Sequence, residues 1–352
     1  MTFLYTGAYT EGDDGRARGV GVHHFNPETG VIDDFQYAGN IANPSFLALG
    51  PDGNTLYSVA ESPGPGSVVA YTRDPELGTI SELNRQSTEG RGPCHLSIDH
   101  SGRYVLVANY GSGQIAALPI LDDGALGPAT GKVQQEGSSV RPDRQEGPHA
   151  HMIASSPDGR YVYATDLGAD RVFCYTLDDN GALIPVPNGG ATATPGSGPR
   201  HFAFSPDGGT VYVLNELGFT LDRYVYDAGT GALDRLQQVP TLPDGFNEFN
   251  LCAHVVVSPD GRFVYASNRG HDSIATWSVG DDGALTFVDW IPAGGQTPRN
   301  FSLDLTGTWL VVANMGSDDV VAWLRDRESG LTTGDPVVTK LPSVCCLVFA
   351  GK

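Results

Sequence analysis

Histidine, arginine and glutamate stand in this chain at spacings that could do chemistry. They are His149-Ala-His151, Arg200-His201 followed by Glu216, Arg269, and Arg299-Asn300. Guanidinium forks match the oxygens of carboxylates and phosphates, and imidazoles and carboxylates move protons near neutral pH. Such a set suits an anionic substrate and an acid–base reaction. Each member also has a structural reading. Arg200 and Glu216 could form an ion pair within one sheet. His95, His201 and His254 recur in register and could hydrogen-bond between repeats. The H-x-H of His149 and His151 could ligate a metal, but no acidic or cysteine partner lies at suitable local spacing, so no metal site is assigned.

The elements that must position these residues are written several times over. Gly198 to Gly218 reads GPRHFAFSPDGGTVYVLNELG: an apolar run at 201–205, a Pro-Asp-Gly turn, and a second run at 210–214. Val, Phe and Tyr bounded by Gly and Pro predict two strands joined tightly, and Asp-Gly suits the turn. Aligned turn glycines are Gly53, Gly102, Gly159, Gly208, Gly261 and Gly307, at intervals of 49, 57, 49, 53 and 46 residues. Third runs (67–72, 171–177, 273–279) and fourth strands opened by DDGAL or DNGAL complete units of four strands. A strand-rich repeat of about 40 to 50 residues marks a β-propeller. A further unit is split: FLYTGAY near the start supplies a second strand, and LPSVCCLVFA near the end supplies the missing first strand. The sequence therefore predicts an all-β, seven-bladed propeller as one domain over 1–352, closed by the C-terminal strand joining the N-terminal blade. Closure spares the two unpaired edges of an open ring.

The repeat also predicts which residues share a rim. The start of strand one and the end of strand two lie opposite the turn in every blade. The first column reads Ser45, Cys94, His151, Arg200, Ala253 and Arg299. The next position reads Phe46, His95, Met152, His201, His254 and Asn300. The end of strand two reads Tyr9, Glu61, Tyr110, Leu167, Glu216, Arg269 and Met315. A purely structural repeat would keep these columns alike and packable. Here charges of both signs are expected to converge on one face near the channel. The HAH segment is two residues longer between Pro148 and its turn than its counterparts, and an irregularity there is expected to push a histidine toward the channel mouth. Asp52, Asp158, Asp207 and Asp260 fall in the turns of the opposite face and serve turn geometry.

Composition narrows the partners. Net charge is −20, with 18 Arg and 3 Lys, which is unsuited to nucleic acid or to an anionic membrane. The stretch QQEGSSVRPDRQEG at 134–147 reads as the longest loop. Five cysteines (Cys94, Cys174, Cys252, Cys345, Cys346) include no CxxC, and adjacent Cys345 and Cys346 point to opposite faces of a strand. Free buried thiols in a reducing compartment are expected. The start of the chain shows no signal-peptide pattern, and no run of about 18 apolar residues could span a bilayer; a cytoplasmic protein is expected.

YTGAYT, NPSFLALGPDG, GPCHLSID, GPHAHMIASSPDGRYVYATDLG, GPRHFAFSPDG with VYVLNELG, VYASNRG and TPRNFSLD together cover nearly the whole chain. SPDG turns are common to many propellers, but GPHAH followed by GPRH, NEL and SNRG is specific. In these the chain resembles the seven-bladed β-propeller lactonases, which include propeller-type 6-phosphogluconolactonases and 3-carboxy-cis,cis-muconate lactonizing enzymes. The resemblance implies a site of one His, two Arg and one Glu: His151 (or His149), Arg200, Glu216 and Arg269. It implies no metal and no other cofactor. The expected activity is hydrolysis of a sugar-acid lactone with an anionic substituent, as in 6-phosphogluconolactonase, by a monomer or homodimer without macromolecular ligands. Substrate contacts are expected from His149, His201, Arg299 and Asn300, with Arg269 or Arg299 on the anion. Arg200 or His151 would serve the oxyanion, and Glu216 or His151 would act as base. The alternatives are a muconate cycloisomerase or a non-catalytic scaffold, the latter predicting a rim without paired charges and a broad apolar patch.

Overall fold

The repeated turns adopt the geometry their residues favour. Gly53, Gly102, Gly159, Gly208, Gly261 and Gly307 all lie at φ between 69° and 75°, a region open to glycine at little cost. The side chain of Asp158 accepts bonds from Ser156 Oγ (2.6 Å) and the Arg160 N–H (3.1 Å), fixing its turn; Asp52, Asp207 and Asp260 act alike. In the computed structural model, which describes residues 2–62 and 64–351 (the side chains of 34 and 35 excepted), every regular element described is a strand. The strands form seven antiparallel sheets. Blade one is Thr2–Ala8, Val20–Phe25 and Ile32–Ala38, with Val344–Gly351 as its innermost strand. Blades two to seven follow at 47–91, 93–134, 150–192, 199–240, 251–292 and 298–340. This is the expected seven-bladed propeller, with the expected closure.

One blade departs from four strands. In blade four both Leu183–Pro185 and Ala191–Thr192 pair with Arg171–Leu177. Pro185 and Pro187 cannot donate ladder bonds, and Asn188 and Gly190 turn at φ 63° and 75°, so the outer strand breaks in two.

Neighbouring blades are held by apolar clusters and a ring of struts. Between blades two and three, for example, Tyr57, Val59, Leu96 and Val107 are fully or almost fully buried together. In the second strand of each blade, four residues after the turn glycine in blades two, four, five and six and two after it in blades three and seven, an aromatic side chain donates to a carbonyl in an outer turn of the next blade. Tyr5 reaches Gly78, Tyr57 Gly124, Tyr104 Asp179 and Tyr163 Gly231; Tyr212 reaches Gly283, Tyr265 Gly330 and Trp309 Pro27, all at 2.7–3.0 Å. The last link runs from blade seven to blade one and closes the circle. Rigidity of this kind fixes the inner strands, which carry the site.

Candidate active site

Most of the inner strands share one irregularity, and in those it places the first column. Pro199 pairs with Asn215 and His201 with Leu214, leaving Arg200 as an extra, bulged residue. The same bulge leaves out Cys94, His151, Arg299 and Cys345 in blades three, four, seven and one. A bulge re-aims the side chain of its unpaired residue, which is how one column comes to face the channel. The irregularity expected in the HAH segment is present as the bulge at His151, but it does not come from the two extra residues. Ala150, pairing with Asp166, occupies the place that proline holds in blades three, five and seven. The two extra residues therefore lie outside the strand, and His151 is aimed by a bulge common to its neighbours.

Glu216 sits at the centre of the group. Its Oε2 accepts from Arg200 Nε at 2.8 Å and lies 3.0 Å from Arg269 Nη2, and its Oε1 accepts from Arg144 Nη2 at 2.7 Å. His151 Nε2 is 4.0 Å from Oε2. Burial alone would raise the Glu216 carboxyl, but Arg269 and Arg200 outweigh it and hold it well below the usual carboxylate range. Burial, with Arg269 beside it, brings Arg200 down to about 9. Burial and then Arg200 push His151 well below its ordinary value, against the pull of Glu216, so this imidazole is neutral at pH 7.

A pocket of ≈ 200 Å³ opens beside this carboxylate. It is lined by Glu61, Cys94, Tyr110, Arg144, His151, Glu216, Leu251, Arg269 and Arg299. The expected residues His151, Glu216, Arg269 and Arg299 meet there. Arg200 lies beneath, with His201 and Asn300, around a small void of ≈ 10 Å³. Arg299 crosses from blade seven to blade one, donating to Tyr9 Oη (2.9 Å) and lying over its ring. Tyr9 in turn donates to Glu61 (3.2 Å), which also accepts from Ser45. Among the described residues, Arg144, Arg200 and Arg269 each pair with Glu216, whereas Arg299 makes no ion pair with a carboxylate.

The remaining histidines join blades. Arg200 Nη1 lies 3.2 Å from His201 Nε2, and His201 Nδ1 lies 2.8 Å from His254 Nδ1. Because arginine only donates, Nε2 accepts and His201 Nδ1–H donates to His254 in the next blade. His95 Nδ1 accepts the Ile153 N–H of the next blade (3.4 Å), and Asn300 Oδ1 accepts the Leu347 N–H (3.1 Å). His149 stacks on Tyr110 (4.6 Å) and contacts Glu146 (3.1 Å), lining neither cavity. All five cysteines are free and buried; burial pushes Cys94, 3.7 Å from His151 Nδ1, up to about 12.

Arg144 escaped the sequence reading. It lies in the loop already marked as the longest, and loops on rigid scaffolds often carry function, but nothing local says that its side chain crosses to Glu216. Glu61, Tyr9 and Tyr110 stood in the aligned column without being singled out. Among the described residues no group of three His, Cys, Asp or Glu could hold a metal, and no helix is long and apolar enough to cross a membrane.

A family model described as "Lactonase, 7-bladed beta-propeller" matches residues 3–349. The chain belongs to this lactonase family. Its relatives include a 6-phosphogluconolactonase of Bacillus subtilis, 34% identical over 346 residues, which are 98% of this chain and 97% of the relative. A 6-phosphogluconolactonase of Formosa agariphila is 32% identical, with 93% of each chain covered. Among solved structures, a periplasmic gluconolactonase of Pseudomonas aeruginosa superposes with a TM-score of 0.93 at 33% identity, covering 100% of this chain and 99% of that one. Of the residues expected from the sequence resemblance, His151, Arg200 and Arg269 all lie within 4.0 Å of Glu216.

Proposed function

We propose that this protein hydrolyses a sugar-acid lactone with an anionic substituent, 6-phosphoglucono-δ-lactone being favoured by the names of its relatives. The observation that carries the reading is the meeting of neutral His151, the arginine-held Glu216 and the pocket-lining Arg269 and Arg299 at one mouth of the channel. His151 takes a proton from water as the water oxygen attacks the lactone carbonyl. The negative charge that develops on the carbonyl oxygen is met by Arg269 and Arg299. The imidazolium, steadied by Glu216, returns the proton to the ring oxygen as the ester bond breaks, leaving the open hydroxy acid. Arg200, buried and bonded to Glu216 and to the Ala253 carbonyl (2.5 Å), positions the carboxylate rather than touching substrate.

Metal-independence is part of the proposal. A carboxylate shared by three guanidinium groups has little charge left to hold a dication. A reducing, cytoplasmic setting is proposed from the five free thiols. The test follows loss of 6-phosphoglucono-δ-lactone with and without a chelator. Acceleration above the spontaneous rate that persists with chelator is expected; no acceleration would overturn the reading, and loss with chelator would overturn its metal-free form.

A further inference from the structure

Of the three arginines on Glu216, Arg144 is the outermost. Its side chain is 30% exposed, against 9% for Arg269 and 4% for Arg200. It is also the one carried on a loop rather than on a blade strand. The foot of that loop is fixed. Next to Arg144, the fully buried Gln145 donates from Nε2 to the Leu167 carbonyl (2.8 Å) and from its N–H to Arg141 (2.6 Å), and its own carbonyl accepts from Ser139 (3.0 Å). Beyond this anchor the guanidinium reaches the pocket, donating to Glu216 Oε1 and, more weakly, to Tyr110 Oη (3.4 Å). A long side chain on a pinned backbone can change partners without moving the loop.

We propose that Arg144 reads the oxyanionic substituent of the lactone, leaving Glu216 for that anion when substrate binds and so setting the preference for a charged lactone over a neutral one. This rests on the lactone-hydrolase reading above. The exchange is cheap on one side and favourable on the other. Glu216 keeps Arg200 and Arg269 on Oε2, so its charge is not left buried and unpaired, the usual cost of breaking such a contact. A phosphate monoester carries close to two negative charges and three acceptor oxygens, against one carboxylate already divided among three cations. Released from Arg144, Glu216 Oε1 becomes an acceptor at the pocket wall, available to a sugar hydroxyl. Arg269 and Arg299 remain with the reacting carbonyl, so the two ends of the substrate are read by different arginines.

The test compares wild type, Arg144→Gln and Arg144→Lys. It measures kcat/KM on 6-phosphoglucono-δ-lactone and on neutral glucono-δ-lactone, and the Kd for inorganic phosphate by calorimetry. In Arg144→Gln the ratio of charged to neutral kcat/KM should fall by about ten- to a hundredfold, as for loss of one charge-assisted hydrogen bond. Phosphate should weaken by a similar factor, and Arg144→Lys should recover part of both. An equal loss on both lactones, or undiminished phosphate binding by Arg144→Gln, would overturn the proposal. If wild type turns over neither lactone, the hydrolase reading fails while the phosphate titration still decides the role of Arg144.

Discussion

A carboxylate already held by three guanidinium groups is a poor proton acceptor at neutral pH, and Glu216 is such a carboxylate. Nearby His151 has the opposite character, a buried imidazole kept neutral by desolvation and by Arg200. Around it stand Glu216, Arg200, Arg299, Tyr110, Cys94 and His201. Their environments push the two pKa values in ways that leave the base role to the histidine. The sign for pH follows. Because its value in the folded protein lies below 6.5, His151 stays unprotonated as pH falls through that range. The kcat/KM profile of the free enzyme should be flat from pH 8 to about 6 and fall only at lower pH; an inflection at 6.5 would mean that an unperturbed histidine is the base. The sequence made His151, Arg200, Glu216 and Arg269 legible because repeats in register expose the positions that break the pattern. It left Arg144 hidden, since a loop residue belongs to no column and its contact with Glu216 spans 72 residues.

At the scale of the element, two devices recur: the bulge that turns one inner-strand residue into the channel, and the aromatic strut that locks each blade to the next. The turn glycines made the strands readable from sequence. The bulges were less so, since a bulge is a relation between two strands, and the extra length of the HAH segment pointed to the right residue for the wrong reason. The break in the outer strand of blade four was likewise missed, although Pro185 and Pro187 carry its cause. The struts make a separate prediction. Tyr163→Phe keeps the ring in its apolar setting and removes one of the two bonds to the buried Gly231 carbonyl, which keeps the Gly190 N–H at 2.7 Å. It should cost about 0.5–1.5 kcal/mol of stability, the net worth of one hydrogen bond, seen as a lower denaturant midpoint, with hydrolysis unchanged while the protein stays folded. An unchanged midpoint would mean that the struts merely accompany the packing of the blades.

At the scale of the whole molecule, ring closure is what makes a site possible. His151 comes from blade four, Glu216 and Arg200 from blade five, Arg269 from blade six, and Arg299 from blade seven, resting on Tyr9 of blade one. No blade alone holds the whole set, and the closing strand Val344–Gly351 completes the circle that brings them together. Function here is therefore a property of consecutive blades acting as one unit, and groups that act as a unit are non-additive on mutation. The most direct measurement is kcat/KM toward 6-phosphoglucono-δ-lactone for His151→Asn, Glu216→Gln and the double variant, each checked for folding. Each single change should lower it by about 10²- to 10⁴-fold, and the double variant should be little worse than the poorer single one. Losses that multiply in full, or a Glu216→Gln protein as active as wild type, would contradict the account.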